Sequence, residues 1–208
     1  MDSILNASEK EPEVLAAVQQ MFETVAEMVE VLMKEEMKTG LPLVARPDAR
    51  LFILGSLPGD ASLAARQYYA HPQNQFWRLV GSVVGEDLHS MPYERRLERL
   101  AEHRIGLWDV IGSALRRGSL DQAIRTANHN RIERLIHGFP GLEAIAFNGA
   151  TSAAIGRKLV GSATGIQLVD LPSSSPANTR PFAEKFAAWV VLKPLVSASN
   201  QVEIAADD

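Results

Sequence analysis

Four segments built from small residues, amides, serines and prolines each follow an apolar run: GSLPGD (55–60), a lone Asp109, FNG (147–149) and LPSSSPAN (171–178). The first continues into ASLAARQYYAHPQNQFW, which adds two adjacent tyrosines and several amides but no obvious nucleophile. Glycine–proline turns let bare backbone N–H groups approach an anion or a ligand edge. An asparagine amide presents a donor and an acceptor side by side. The chemistry these residues suit is therefore close backbone approach and amide hydrogen bonding, not covalent attack by the protein. The patterns that would signal other chemistry are absent: there is no G-x-S-x-G elbow, no G-x-x-x-x-G-K-[ST] loop, no G-x-G-x-x-G and no H-E-x-x-H. With no cysteine, a disulfide frame, a cysteine nucleophile, a zinc finger and an iron–sulfur cluster are excluded. Five scattered histidines show no metal-ligand spacing, so neither a metal nor a cofactor is expected.

These segments need a scaffold that brings them together. LFILG (51–55), IGLWDV (105–110), EAIAFN (143–148) and GIQLVDL (165–171) read as buried strands. The stretches 75–84, 92–103, 121–137, 150–160 and 181–192 read as helices. Strands alternating with helices predict an α/β fold, a parallel sheet covered on both faces. In such sheets ligands collect beyond the carboxyl ends of the strands, which is where the four segments lie. Ahead of this body, residues 9–39 read as one long helix, with a capping motif SEKE at 8–11 and a stop at Gly40 and Pro42. Its apolar seam (Leu15, Val18, Phe22, Val25, Val29, Leu32) calls for burial, either on the body of the chain or against a second copy in a homodimer. The expected organisation is an acidic helix over 1–40, an α/β domain over 41–197 and an acidic tail over 198–208.

The net charge of −4 hides a division. Residues 1–40 carry nine acids against three bases, while residues 41–200 carry thirteen acids against eighteen bases. An arginine-rich body of this kind suits phosphates. Arg66, Arg78, Arg116, Arg117 and Arg180 flank the strand-end segments and are the expected phosphate contacts. The apolar runs are too short to cross a bilayer and no secretory signal pattern opens the chain, so a cytoplasmic setting is expected.

The motifs GSLPG, QYYAHPQNQFW, GLWDVIGSALRRGSLDQAI, FNG and LPSSSPAN, in that order over about residues 41–195, resemble the uracil-DNA glycosylase superfamily, and its hypoxanthine-DNA glycosylase branch in detail. The resemblance implies a three-layer α/β/α sandwich around a four-stranded, mainly parallel sheet. It implies an enzyme of base excision repair that binds double-stranded DNA, flips a deaminated base out of the helix and hydrolyses its N-glycosidic bond. Hypoxanthine is the implied base, with no cofactor. Residue by residue, it makes Asn74 and Asn148 catalytic. It places Tyr69, Ser56, Leu57, Phe147 and Asn148 around the base, with Tyr69 stacking on it. Ser173, Ser174, Ser175, Pro176, Ala177, Asn178 and Arg180 become the DNA-contacting loop.

Two positions depart from the family pattern. Leu57 stands where better-known members carry a carboxylate or asparagine that positions water, and Ser173 stands where some carry a histidine. Asp60 and Asp109 are the nearby carboxylates, and each is read as a helix-cap or turn residue. Two rival readings stay open: a mismatch-type uracil glycosylase, and a catalytically idle protein that binds damaged DNA.

Overall fold

The computed structural model describes residues 11–33, 36–161 and 165–197. The chain runs through helix α1 (Glu11–Met33), strands β1 (Glu36–Thr39) and β2 (Leu51–Gly55), then helices α2 (Asp60–Ala65), α3 (Phe76–Val84) and α4 (Tyr93–Glu102). Strands β3 (Ile105–Asp109), β4 (Ile111–Arg116) and β5 (Ile124–His129) follow, then α5 (Glu133–Gly138). The remainder is β6 (Ala144–Asn148), α6 (Ala150–Val160), β7 (Gln167–Leu171), α7 (Phe182–Trp189) and α8 (Lys193–Ser197).

An uninterrupted apolar strand such as LFILG must be covered on both faces, and all five residues of β2 are buried. On one face Leu51, Ile53, Ile105, Leu107, Ala144 and Ala146 pack with Trp77, Leu79 and Trp189 of α3 and α7. On the other, Phe52, Leu54, Ile145 and Phe147 pack with Leu135, Ala153 and Val160 of α5 and α6. The result is three layers around a four-stranded sheet in the order β3-β2-β6-β7, every neighbouring pair parallel. The chain leaves β2 toward β3 on one side and leaves β6 toward β7 on the other. The loops after β2 and β6 therefore diverge, and a crevice opens between their carboxyl ends. The outer edge of β3 is closed by the connector: Val44 exchanges both backbone hydrogen bonds with Leu107.

Three expectations are corrected. The helix read over 9–39 is described over Glu11–Met33, and Glu36–Thr39 is instead an edge strand of a second, three-stranded sheet ordered β1-β4-β5. Strand pairing outweighs the helix propensity of that stretch. The helix read over 121–137 divides into a short 3-10 turn (Asp121–Ala123), strand β5 and the short α5. Strand β4, absent from the sequence reading, forms with β5 an irregular antiparallel pair whose register shifts twice. Of the N-terminal helix seam, Leu15, Val18, Phe22 and Val25 are exposed. Residues 8–10 of the capping motif and the tail from 198 lie outside the described residues.

Candidate functional site

Alternation along parallel strands decides which side chains meet at the crevice. In β3, β2 and β6 the last residues on the face covered by α3 and α7 are Asp109, Gly55 and Asn148, a row across three adjacent strands. Gly55, in the middle, leaves the row open. A Cβ there would fall 2.6 Å from the Asp109 Oδ1 and 3.4 Å from the Tyr69 hydroxyl. Both groups therefore lean over a bare backbone.

Asp109 is not the turn or cap residue expected of it. It ends β3 and is 3 % exposed. Its Oδ2 is buried with no hydrogen-bond partner. Burial pushes its carboxyl up to about 7; the Tyr68 hydroxyl and the Arg116 charge oppose that shift, and Asp121 adds to it. Asp60, by contrast, does open a helix, α2, and its carboxylate pairs with Lys38.

Asn148 is held from two directions. Its Oδ1 accepts from the Ser174 N–H at 2.8 Å, and its Nδ2 donates to the Ser174 Oγ at 2.9 Å. The amide is thus locked in one orientation by the serine loop. The turn after it needs glycine: Gly149 has φ of +112°, and a Cβ there would come within 3.1 Å of the Ser173 Cβ.

Tyr69 sits at φ of +56°, a left-handed conformation that is strained for an aromatic residue. One face of its ring stacks on Phe76, with centroids 3.7 Å apart and planes 12° from parallel. Its hydroxyl is buried without a partner, beside the Asn148 amide, and burial raises its pKa. Tyr68 is a core residue whose hydroxyl donates to the carbonyls of Leu41 and Pro42. Asn74 accepts the Phe76 N–H at 3.0 Å and so caps the start of α3. Next to it, Gln75 donates its N–H to the Ser174 carbonyl, and its own Oε1 is buried without a partner.

The loop after β2 is fixed from below. Val110 and Ile111 donate to the carbonyls of Gly55 and Ser56, and the Arg116 guanidinium donates to those of Leu57 and Pro58. The Ser56 hydroxyl donates to Asp121 at 2.7 Å. Arg116 is fully buried in this role, which removes it from the expected phosphate contacts; Arg66, Arg78, Arg117 and Arg180 are exposed. Leu57 and Phe147 are corrected as well. Both side chains belong to the core on the far face of the sheet, so only their backbones can reach the crevice.

The serine loop is equally anchored. Asn178 donates to the Ser173 carbonyl, Ser175 donates its N–H to the Ser173 Oγ, and the buried Lys185 donates to the Asn178 carbonyl at 2.8 Å. Trp189 donates to the Pro172 carbonyl. Ser174 is buried on Asn148, whereas Pro176, Ala177 and Arg180 are exposed. The loop presents a small apolar tip on a rigid base. Among the described residues, no group of three or more histidines and carboxylates is placed to hold a metal ion.

Comparison with known proteins agrees with this geometry. The family model described as the uracil DNA glycosylase superfamily matches residues 42–193. The chain is 42% identical over 152 residues to a protein of Methanosarcina barkeri named hypoxanthine DNA glycosylase, covering 73% of this chain and 95% of that one. A Methanosarcina acetivorans protein of the same name is 41% identical over the same shares. A solution structure of a candidate uracil DNA glycosylase from Methanosarcina acetivorans superposes with a TM-score of 0.70 at 39% identity, covering 78% of this chain and 99% of that one.

Proposed function

Because the chain belongs to the uracil DNA glycosylase superfamily, we propose that it is a monofunctional DNA glycosylase of base excision repair, acting in the cytoplasm on hypoxanthine in double-stranded DNA. The observation that carries this reading is the row Asp109, Gly55 and Asn148. It sets polar side chains on either side of a bare strand end, beneath a wall of Tyr69 and Phe76, with buried polar atoms left unpartnered. Buried polar groups are nearly always paired, so unpaired ones at a crevice call for a ligand.

In this reading water, not a side chain, replaces the base. As the bond from C1′ to the base breaks, the electron pair leaves with the base and the sugar gains oxocarbenium character. Fixed hydrogen-bond donors then stabilise the charge on the departing base. Asn148, held by Ser174, supplies the remaining N–H of its amide without cost of reorganisation. The free face of Tyr69 stacks on the extruded base, and its other face is backed by Phe76. Asn74 sets the start of α3 beneath Tyr69, with its NH₂ turned to the substrate. Ser56 and the backbones of Leu57 and Phe147 border the base. The tip Pro176–Ala177, on a base of Ser173, Ser174, Ser175 and Asn178, enters the duplex where the nucleotide has left, with Arg180 on a flanking phosphate.

Uracil presents the same lactam edge as hypoxanthine and is the second substrate to test. The test incubates duplexes carrying one deoxyinosine or one deoxyuridine with the protein and identifies the freed base by mass spectrometry. Free hypoxanthine with an alkali-labile abasic site supports the proposal. Uracil alone would assign the protein to the mismatch-type activity, and tight binding without release would make it a damage sensor.

A further inference from the structure

The lactam edge of hypoxanthine, an O6 acceptor beside an N1–H donor, needs a donor and an acceptor facing it together. Asn148 has the right groups, but its carbonyl and one N–H are spent on Ser174. The Gln75 side-chain Oε1 is also unpartnered, but Gln75 precedes α3 and stands outside the strand-end row. Asp109 remains. Its side chain is one strand from Gly55 and two from Asn148 on the same face, and its Oδ2 has no partner.

We propose that Asp109 reads the lactam edge of the extruded base, and that it does so as the neutral acid. The O–H on Oδ2 donates to O6, and Oδ1 accepts from N1–H. This rests on the glycosylase reading above and adds to it the residue that specifies the base. Adenine offers a donor beside an acceptor in the reverse order, so discrimination requires the proton to stay on one oxygen. Tyr69 is placed to do that. Its hydroxyl is unpartnered and lies near the same point above Gly55 as Oδ1, so on base binding it would turn its hydrogen to Oδ1 and leave the acidic proton on Oδ2.

The groups facing this carboxyl pull in both directions. Tyr68 and Tyr69 approach from the segment after α2, Arg116 from β4 and Asp121 from the turn before β5. The Tyr68 hydroxyl and Arg116 favour ionisation, but the Tyr68 hydroxyl donates to the carbonyls of Leu41 and Pro42 and the Arg116 guanidinium to those of Leu57 and Pro58, while Asp121 opposes ionisation. Burial is the largest effect and brings the carboxyl up to about 7. Ionisation would turn Oδ2 from a donor into an acceptor facing O6, a repulsion that grows as the base leaves with negative charge.

The sign of the pH dependence separates this role from activation of water. A reader must be protonated, so release should fall as pH rises; a base that takes a proton from water must be ionised, so release should rise. The experiment measures single-turnover release of hypoxanthine from a deoxyinosine duplex between pH 6 and 8.5, for the wild type, Asp109→Asn and Asp109→Leu. Asparagine keeps a donor and an acceptor without a titrating proton. The wild type should slow at least about tenfold across the range, since each unit above the pKa depletes the acid about tenfold. Asp109→Asn should release base at a rate that changes less than about threefold, overtaking the wild type at high pH. Asp109→Leu should lose roughly 10²-fold, the size of a lost transition-state donor. Release that climbs with pH and vanishes in Asp109→Asn would overturn the proposal in favour of a water-activating carboxylate. Absence of hypoxanthine release by the wild type at every pH is a different outcome, because it removes the substrate reading itself.

Discussion

Asn148 spends its carbonyl and one N–H on Ser174, so removing its amide has two separable consequences. Asn148→Ala strands the Ser174 N–H in a buried site, which costs about 1–3 kcal/mol of stability and reads out as a lower denaturation midpoint. It also removes a donor from the crevice, which should slow single-turnover base release by roughly 10²-fold while undamaged duplex binds nearly as before. Ser174→Ala tests the partition. It keeps the backbone N–H and loses only the hydroxyl, so its effect on release should be clearly smaller. Gly55→Ala forces a methyl to within 2.6 Å of the Asp109 carboxylate oxygen. Overpacking of this kind costs about 1–3 kcal/mol, and the displaced carboxyl should cost release beyond what the stability change explains. Asp109 also leaves a signature in stability. Its carboxyl rises from 3.8 to about 7 on folding, so the folded state binds the proton more tightly than the unfolded one. The stabilisation is complete below about pH 4 and drains away as pH climbs to about 7. Measured against Asp109→Asn, the wild type should therefore lose a few kcal/mol across that window and change little above it.

At the scale of the elements, the four strands of the main sheet were legible because parallel strands buried on both faces read as unbroken apolar runs. The place of the candidate site was proposed for the same reason, since ligands gather at the carboxyl ends of such strands. The β4–β5 hairpin was not. IGSALR and IRTANH are short, partly exposed and twice shifted in register, so they carry neither a clean alternation nor an apolar run. Asp109 was missed because a carboxylate ending a strand looks in sequence like a turn residue, and only the sheet shows that it faces Gly55. Arg116 was misjudged for the converse reason: an arginine beside a polar loop reads as exposed, whereas this one is wholly buried and holds the loop's carbonyls. The two roles predict different measurements. Arg66→Ala, Arg78→Ala, Arg117→Ala and Arg180→Ala should each lower the salt dependence of DNA binding by about one unit of log–log slope. Arg116→Ala should instead lower the denaturation midpoint and loosen the loop after β2, with unsatisfied buried carbonyls as the cause.

The whole molecule divides into a family-matched body and an acidic N-terminal helix outside the match. The family match spans residues 42–193 and leaves that segment out, so its removal should spare the chemistry. Deletion should stop before the β1 strand, which edges the second sheet. A chain starting at Glu36, behind an initiator methionine, should fold and release base at a rate near that of the full chain, and it should bind duplex more tightly if the acidic helix repels phosphates. Loss of release from a folded truncation would give the helix a part in the reaction. The body carries the central claim, and one measurement bears on it most directly: single-turnover incubation of excess protein with a duplex containing one deoxyinosine, followed by alkaline cleavage at the abasic site. Strand scission should appear at the inosine position and none at the matching deoxyadenosine control. An intact inosine strand under conditions where the protein demonstrably binds that duplex would contradict it.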